Sequence, residues 1–325
     1  MGDKMGKTKR VLITGGGGLV GGRVAEHLLC SGFQVRLGTR DIKADVGRLL
    51  DVDLVAIEWS DEECLRAICQ DVDVIVNAMG MNATDCAYNP AGALLVNGVY
   101  VASLLKAAIA SGVKRFIHLS TAHVYASPLQ GWISESTCPS NLHPYATSHR
   151  SGEDTVLWAG EQGHIEGIVL RLSNAFGRPL ATRVRCWMLL VNDLCRQAVE
   201  NKNLTLKGNG LQHRDFIPLS AVCGLIDRLC QVDFFRIDES RGRPSPLLNV
   251  GSGYSMSVIA MAELIQSRCK PVLGYDVGLK RQSCSNEQEG PALNYVSNHL
   301  PSLCDMESFM DEIDKLLLYC NEYFR

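Results

Sequence analysis

Short apolar runs alternate with longer amphipathic segments along the first half of the chain. Six runs have the length and composition of buried strands, and they are RVLIT (10–14), FQVRLGT (33–39), DLVAIEW (53–59), DVIVNAM (73–79), RFIHLST (115–121) and EGIVLRLS (166–173). Helical spacing of apolar residues marks the segments between them at 22–32, 61–70 and 93–112, and another helix is predicted after Pro144. Strands that alternate with helices predict an α/β fold with a parallel, doubly wound sheet.

The pattern loosens after residue 175. It predicts helices at 186–200 and 306–324, a strand followed by a helix at 213–231, and short strands at 204–210 and 247–253. The rest of the final third is polar, and residues 238–246 have the composition of an exposed loop. We therefore predict a main domain over residues 1–175 and a smaller lobe over 176–325, partly interleaved with it.

Composition and charge narrow the class of protein. Of the 325 residues, 46% are apolar and 21% are charged, and the net charge is −3, so neither a nucleic acid nor a membrane surface is expected as a partner. The apolar run near the N-terminus is too short for a signal peptide, and no apolar run approaches membrane-spanning length, so a cytoplasmic protein is predicted. The 13 cysteines are scattered without a C-x-x-C pair, which favours buried thiols and no metal site.

A glycine cluster follows the first predicted strand and opens the first predicted helix. Gly15, Gly18 and Gly21 have G-x-x-G-x-x-G spacing. Glycines allow a sharp turn and let a pyrophosphate approach the helix N-terminus, where free N–H groups and the helix dipole attract anions. The position of this loop between a strand and a helix predicts that residues 1–175 bind a dinucleotide, although a tight packing turn has the same composition.

The end of the second strand bears on the choice of cofactor. An NAD site usually has an acidic residue there for the ribose hydroxyls, whereas this chain has Thr39 and Arg40. An arginine can accommodate a 2′-phosphate, so the sequence favours NADP over NAD, with NAD still possible. The alternative is that Arg40 is a solvated residue paired with Asp41.

Five further motifs follow the glycine loop along the chain: LSTAHVY (119–125), PYATSH (144–149), RLSNAFG (171–177), GNGLQHRDF (208–216) and LNVGSG (248–253). Together with the glycine loop, their order and spacing resemble the extended short-chain dehydrogenase/reductase superfamily, in its nucleotide-sugar epimerase/dehydratase branch. The resemblance covers about Val11 to Ile265. It implies a Rossmann fold, a nicotinamide cofactor, a nucleotide-sugar substrate and a homodimer.

The resemblance also implies roles for individual residues. It makes Thr121, Tyr145 and His149 the catalytic set. The implied cofactor-binding residues are Gly15, Gly18, Leu19, Val20, Gly21, Thr39, Arg40, Glu58, Trp59, Asn77, Ala78, Met79, Gly80, Asn97, Tyr145 and His149. The implied substrate-binding residues are Asn174, Arg183, Arg185 and Arg214, with Arg214 placed to bind the diphosphate unless it forms an ion pair with Asp215.

One departure from the family pattern concerns the catalytic helix. The family has Tyr-x-x-x-Lys, and this chain has Tyr145 and His149. The lysine lowers the tyrosine pKa and hydrogen-bonds the nicotinamide ribose. An imidazole can donate to a ribose hydroxyl, but with an ordinary pKa of about 6.5 it would carry only a partial, pH-dependent charge. Arg150 points elsewhere on the helix and cannot substitute. A packed tyrosine–histidine pair without catalytic function is the alternative.

The predicted reaction is hydride transfer at C4 of a nucleotide-activated sugar with Tyr145 as the acid/base, in a keto-sugar reductase or epimerase. Dehydration is disfavoured because Ala122 and His123 stand where dehydratases have an acidic pair. An NADP signal favours a reductase slightly, since a reductase exchanges its cofactor. The alternative is a non-catalytic NADP-binding sensor or scaffold protein, which loss of the lysine would permit.

Overall fold

The computed structural model describes residues 8–40, 49, 52–231, 246–281 and 291–325. It divides into two compact units. Unit 1 comprises Met1–Ser120, Leu142–Leu170 and Ile226–Leu247, and unit 2 comprises Thr121–Asn141, Arg171–Leu225 and Leu248–Arg325. Each unit is thus assembled from separate stretches of sequence. The boundary at residue 175 stays a prediction, and most of the loop predicted at 238–246 lies outside the described residues.

The secondary structure alternates as the apolar pattern predicts. The strands are β1 (Arg10–Thr14), β2 (Gln34–Thr39), β3 (Asp53–Ala56), β4 (Val74–Asn77), β5 (Arg115–Thr121), β6 (Gly131–Ile133), β7 (Glu166–Leu172), β8 (Asn174–Phe176), β9 (Asn203–Leu206), β10 (His213–Pro218), β11 (Leu247–Val250), β12 (Ser255–Ser257), β13 (Gly278–Arg281) and β14 (Leu293–Tyr295). The helices are α1 (Leu19–Cys30), α2 (Glu62–Ile68), α3 (Ala83–Tyr88), α4 (Pro90–Leu94), α5 (Tyr100–Ala110), α6 (Pro144–Glu161), α7 (Leu190–Glu200), α8 (Leu219–Gln231), α9 (Val258–Leu273) and α10 (Met306–Tyr323).

The main sheet has seven strands in the order β11-β7-β5-β4-β1-β2-β3. The pairs β1–β2, β2–β3, β1–β4 and β4–β5 are parallel. The predicted α/β fold with a doubly wound parallel sheet is therefore confirmed. The strand order changes direction between β1 and β4, and open sheets of this kind bind ligands at the carboxyl ends of the strands beside such a point.

Continuous apolar runs form the centre of this sheet because parallel strands are covered on both faces. Val11, Leu12 and Ile13 in β1 and Ile75 in β4 are fully buried. The core of unit 1 joins these strands to helices α2, α5 and α6. The carboxyl ends of β1 and β4 are consequently fixed by a rigid, close-packed interior.

The helix predicted at 93–112 is longer and less regular than expected. A helical stretch runs from Pro90 to Ala110 and contains a π-helical turn at Leu95–Val99. By length and composition this stretch could cross a membrane, so the expectation that no apolar run reaches that length is wrong. The signal is weak, because 44% of the stretch is buried inside the protein, as in the core helix of a soluble protein.

Unit 2 has three small sheets, with strand orders β12-β10-β8, β13-β9 and β14-β6. Its core packs α7, α9 and α10 around Phe176 and Phe309, whose rings lie 5.0 Å apart. The sequence predicts that this helix begins at Cys186, but α7 begins four residues later, at Leu190. Helix α9 is not predicted by the sequence pattern, because its polar and apolar residues are mixed and Pro271 lies within it.

Candidate functional site

The glycine loop contacts the end of the neighbouring strand in unit 1. Gly15 has a positive φ of 69°, and a Cβ there would lie 2.6 Å from the carbonyl oxygen of Ala78. A Cβ on Gly21 would lie 2.5 Å from the carbonyl oxygen of Gly15. Only glycine fits these positions, because Gly15 lies against the backbone that follows β4 and Gly21 lies against the backbone of Gly15.

The N-terminus of α1 opens directly from this loop. The N-cap residue is Gly18, and no side chain caps the helix. Leu19 and Val20 form its half-buried first turn. Because no side chain occupies the first-turn N–H groups, they are available to an anion, and the helix dipole favours negative charge there. These residues fit the pyrophosphate of a dinucleotide.

The residues predicted for the adenosine end lie after β2 and β3. Thr39 is half-buried at the end of β2, and Arg40 is exposed. Asp41, the alternative partner of Arg40, lies outside the described residues. Glu58 is exposed, and its carboxylate accepts hydrogen bonds from the backbone N–H and hydroxyl of Ser60, which lower its pKa.

Trp59 lies half-buried on the same side of unit 1. Its ring stacks on that of Tyr100, with centroids 5.3 Å apart and an interplanar angle of 14°. The pair gives this part of unit 1 a flat aromatic surface. Trp59 is therefore held by a neighbouring aromatic ring, whichever ligand it contacts.

A buried hydrogen-bonded chain lies below the loop that follows β4. The hydroxyl of Thr14 donates to Asn77 Oδ1 over 2.5 Å, and Asn77 Nδ2 lies 3.0 Å from His118 Nδ1. All three side chains are fully buried. The loop itself continues through Ala78 and Met79, which are half-buried, to the exposed Gly80.

Asn97 connects this loop to helix α6. It lies in the π-helical turn and is buried. Its Oδ1 accepts from the N–H of Met81 at 2.8 Å, and its Nδ2 donates to Ser148 Oγ at 3.0 Å. The π turn and Gly98, whose Cβ would lie 2.3 Å from Ser151 Oγ, allow this close approach of the two helices.

Tyr145, His149 and Glu153 occupy one face of α6, at successive i, i+4 positions. The rings of Tyr145 and His149 meet edge to face with centroids 4.6 Å apart. The hydroxyl of Ser120, in β5, donates to the fully buried carboxylate of Glu153. Arg150 instead pairs with Asp154 at 3.4 Å on another side of the helix, as its sequence position predicts.

His149 is the best-defined candidate residue. It is buried, and a Cβ on Gly80 would lie 3.4 Å from its Cε1 and 3.6 Å from its Nε2. Burial lowers the pKa of His149 to about 4, and burial together with the nearby His149 lowers the pKa of His118 to about 3. The imidazole is thus neutral at pH 7, and the partial positive charge expected from its ordinary pKa is wrong.

Thr121 is the last residue of β5 and the first residue of unit 2 in the chain. Its Oγ1 accepts from the N–H of His123 at 3.1 Å, which caps a short 3₁₀ turn over Ala122–Val124. This bond uses the oxygen as an acceptor, so the hydroxyl hydrogen is available for donation.

Unit 2 also contains the residues predicted to bind substrate. Asp215 is buried, and its carboxylate accepts from Ser252 and from the N–H of Gly253, so it does not neutralise Arg214. Arg214 is half-buried, its guanidinium forms no ion pair or hydrogen bond with the described residues, and burial lowers its pKa. The predicted alternative of an Arg214–Asp215 pair is wrong, and Arg214 retains its donors for an anion.

The other predicted substrate residues are less specific. Asn174 in β8 donates from Nδ2 to the carbonyl oxygen of Asp215 at 2.8 Å, which orients β8 against β10. Arg183 and Arg185 are exposed in the segment before α7. Their positions allow contact with an anion but do not define one.

Two residues of the buried network were not predicted as functional. They are His118 in β5 and Glu153 in α6, and neither is among the site residues predicted from the sequence. The signal for Glu153 is its spacing, because it stands four residues after His149 and eight after Tyr145 on one helix. No sequence signal reveals that His118 lies near His149, since this depends on how β5 packs against α6.

The sheet and the glycine turn that leads into α1 give unit 1 a Rossmann-like α/β fold. The chain belongs to the NAD-dependent epimerase/dehydratase family, whose model matches residues 11–233. The predicted extended short-chain dehydrogenase/reductase of the epimerase/dehydratase branch is therefore confirmed, as is the prediction of an NAD(P)-dependent enzyme class.

Curated relatives are similar over most of the chain. A dTDP-D-glucose 4,6-dehydratase of Mus musculus is 26% identical over 275 residues, which are 79% of this chain and 72% of the relative. A dTDP-6-deoxy-L-talose 4-dehydrogenase (NAD(P)(+)) of Kitasatospora kifunensis is 27% identical over 263 residues, covering 79% of this chain and 78% of that protein. The names of these relatives, a dehydratase and a dehydrogenase, thus describe different reactions.

Solved structures share the fold. The UDP-glucose 4-epimerase of Thermotoga maritima, solved with UDP-glucose, has a TM-score of 0.75 and 18% identity over 97% of this chain and 100% of its own. A UDP-glucuronic acid 4-epimerase from Bacillus cereus, solved with UDP-glucuronic acid and NAD, has a TM-score of 0.72 and 21% identity over 96% and 99%.

Proposed function

We propose that the protein is an NADP-dependent oxidoreductase that acts on C4 of a nucleotide-activated sugar, with Tyr145 as the acid/base. The observation that carries this proposal is the geometry of α6, where the Tyr145 ring contacts His149 and His149 Nε2 lies beside Gly80. Gly80 follows β4 at the point where the sheet order changes direction. Cofactor and substrate sites in sheets of this kind lie at that point.

The residues of unit 1 fit a nicotinamide dinucleotide. Gly15, Gly18 and Gly21 would hold the pyrophosphate, and the exposed Arg40 supports a 2′-phosphate and hence NADP, with NAD as the alternative. His149 Nε2 would hydrogen-bond the ribose in place of the family's lysine. When bound, the nicotinamide supplies the site that gives or receives a hydride.

The neutral imidazole bears on the direction of the reaction. An ordinary phenol loses its proton near pH ~10, so without a neighbouring cation it donates a proton more readily than it takes one. Tyr145 is therefore better suited to protonate the oxygen of a 4-keto sugar during reduction than to deprotonate a sugar hydroxyl. This argument favours a keto-sugar reductase over an epimerase, which needs both steps.

The roles proposed for unit 2 rest on its local structure and on the sequence resemblance. Thr121 offers a hydroxyl hydrogen to the reacting oxygen, and Arg214 offers the diphosphate a guanidinium that has no ion pair among the described residues. A guanidinium that is half-buried without an acidic partner is costly unless it has an anionic ligand. This observation supports a nucleotide diphosphate more than a neutral substrate.

A substitution of Tyr145 tests the proposal. First, NADP and NAD are compared for their ability to raise the melting temperature, because ligands of the native state stabilise it. NADPH oxidation is then followed with UDP- and dTDP-linked 4-keto sugars. Tyr145→Phe should lower kcat by roughly 10² to 10⁴-fold, the usual contribution of general acid catalysis, whereas the matched change Tyr323→Phe should leave it unchanged, since Tyr323 is 45% exposed at the end of α10. Full activity of Tyr145→Phe would overturn the assignment.

The second candidate is a non-catalytic NADP-binding sensor or scaffold. The observation in its favour is the neutral His149, which provides no positive charge to the tyrosine. The same experiment separates the two candidates. NADP binding without turnover of any keto sugar, and without an effect of Tyr145→Phe, would support the sensor.

We also propose a cytoplasmic homodimer. The surfaces of α3, α4 and α6 expose Tyr88, Leu94 and Trp158, and Val99 is exposed in the π turn, so these elements offer apolar side chains to a second copy. The twelve described cysteines are free thiols, in keeping with a reducing compartment. Light scattering after size-exclusion chromatography tests the dimer, and a monomer at micromolar concentration would contradict it.

A further inference from the structure

Below the loop that follows β4 (the β4 loop), the buried hydrogen bonds from Thr14 through Asn77 to His118 all run from donor to acceptor in the same direction. Thr14 donates its hydroxyl hydrogen to Asn77 Oδ1, and this leaves Asn77 Nδ2 facing His118 Nδ1 at 3.0 Å. An amide nitrogen only donates, so His118 Nδ1 must accept. The proton of the neutral His118 imidazole is therefore on Nε2.

His118 Nε2 points toward helix α6. A Cβ on Gly152 would lie 3.1 Å from this nitrogen, so the glycine leaves room for it. The nitrogen is buried and has no hydrogen-bond partner among the described residues. A buried N–H donor without an acceptor destabilises the fold, so this nitrogen requires a hydrogen-bond partner.

His149 also has a buried ring nitrogen without a hydrogen-bond partner among the described residues. That nitrogen is its Nδ1. The rings of His118 and His149 lie 6.5 Å apart, with 31° between their planes. This separation keeps any nitrogen of one ring at least roughly 4 Å from any nitrogen of the other, which is too long for a direct hydrogen bond, so a link between them needs a bridging molecule such as water.

We propose that His118 is a positioning residue that sets the tautomer of His149. Its Nε2–H donates to one buried water, and that water donates to His149 Nδ1. The proton of His149 is then held on Nε2, the nitrogen beside Gly80. A water bonded in this way satisfies both buried nitrogens with one donor and one acceptor.

The consequence is a fixed N–H donor at the β4 loop. Its use for a ribose hydroxyl rests on the proposed function, but the tautomer of His149 does not. A lysine in this place would donate in any orientation, whereas an imidazole donates only from the nitrogen that carries its proton. The hydrogen-bonded chain from Thr14 through His118 thus fixes which nitrogen of His149 donates, whereas a lysine at this position would need no such chain.

The tautomer is measurable in the protein without ligand. Protein labelled with ¹⁵N-histidine gives long-range ¹H–¹⁵N correlations that distinguish Nε2–H from Nδ1–H, and His149→Gln assigns the signals. At pH 7.5 the wild-type His149 should show the proton on Nε2. His118→Leu should abolish this preference, and His118→Gln should keep it, because a glutamine amide can accept from Asn77 and donate onward. The exposed His299→Gln is the matched control, and it should leave the His149 signals unchanged.

A wild-type proton on Nδ1, or an unchanged His149 spectrum in a folded His118→Leu protein, would overturn the proposal. Cofactor affinity gives a second measurement. His118→Leu should weaken NADP binding about 5 to 10-fold, the effect of one hydrogen bond, and His118→Gln should restore it to within about twofold. If no nicotinamide nucleotide binds to the wild type, the proposed function fails while the spectra still decide the tautomer.

Discussion

Lowering the pH from 7 to 5 should destabilise the folded protein through the two buried imidazoles of unit 1. His118 and His149 are 0% and 5% exposed, and their pKa values in the fold are about 3 and about 4, against an ordinary value of 6.5. A base with a lowered pKa in the fold takes up its proton more readily when unfolded. The stabilising contribution is therefore present above pH 6.5 and is lost as the pH falls toward about 4 for His149 and about 3 for His118.

The magnitude follows from these pKa values. At pH 5 both imidazoles are neutral in the fold and mostly charged in the unfolded chain, so unfolding takes up nearly two protons. The free energy of unfolding then falls by roughly 2 to 3 kcal/mol per pH unit. Integrated from pH 7 to pH 5, each residue contributes about 2 kcal/mol, and the pair contributes about 4 kcal/mol. Since total stabilities are commonly 5–15 kcal/mol, this change is large.

Urea unfolding at pH 7, 6 and 5, followed by circular dichroism and tryptophan fluorescence, measures the effect. Other titrating groups also respond to acid, so the wild type is compared with the double variant His118→Gln/His149→Gln. The wild type should lose about 4 kcal/mol more than the double variant between pH 7 and 5. His299→Gln, which alters an exposed histidine, should behave as the wild type. An equal loss in the wild type and the double variant would refute the reasoning.

Three further predictions concern the ligand-binding residues. Arg40→Ala should weaken NADP binding about tenfold and leave NAD binding nearly unchanged in isothermal titration calorimetry, because only NADP carries the 2′-phosphate; equal losses for both nucleotides would contradict this. Gly21→Ala should lower the stability of the ligand-free protein by about 1–3 kcal/mol in thermal unfolding, since its Cβ would lie 2.5 Å from the carbonyl oxygen of Gly15. The control is Gly17→Ala, whose Cβ meets no atom within 4 Å, and it should change the stability by less than about 0.5 kcal/mol. Arg214→Gln should reduce the affinity for UDP or dTDP by about tenfold and that for uridine or thymidine far less, and a similar loss for the nucleosides would show that Arg214 does not contact the diphosphate.

The fold of unit 1 could be predicted because its strands are covered on both faces. Such strands appear in the sequence as continuous apolar runs, as in Val11–Ile13, and the helices between them end at glycines such as Gly32 and Gly112. The glycine loop was recognisable for a similar reason, since a positive φ at Gly15 and the contact of Gly21 with it demand residues without a side chain. Local stereochemistry determined these features, so local sequence reveals them.

Features that depend on contacts between distant segments were not predictable. The π turn at Leu95–Val99 has no composition that distinguishes it from an ordinary helix, and its purpose becomes visible only in the bonds from Asn97 to the β4 loop and to α6. The charge of His149 was inferred from its ordinary pKa, and burial changes that inference completely. That Asp215 does not pair with Arg214 was equally hidden, because the two are neighbours in sequence and yet the Asp215 carboxylate accepts its hydrogen bonds from Ser252 and Gly253.

The replacement of lysine by histidine separates two functions that one residue combines in the family pattern. A buried imidazole with a pKa of about 4 gives up the positive charge at neutral pH but keeps a hydrogen-bond donor. The donor is useful only if its position is fixed, and the buried residues around His149 are arranged in a way that can fix it, through Asn77 and His118. A protein that had lost cofactor chemistry would have no need for this arrangement, since apolar side chains would fill the same space without buried, unmet nitrogens. Retention of a polar chain below the β4 loop therefore favours a working oxidoreductase site with a neutral donor over an inactive remnant of one.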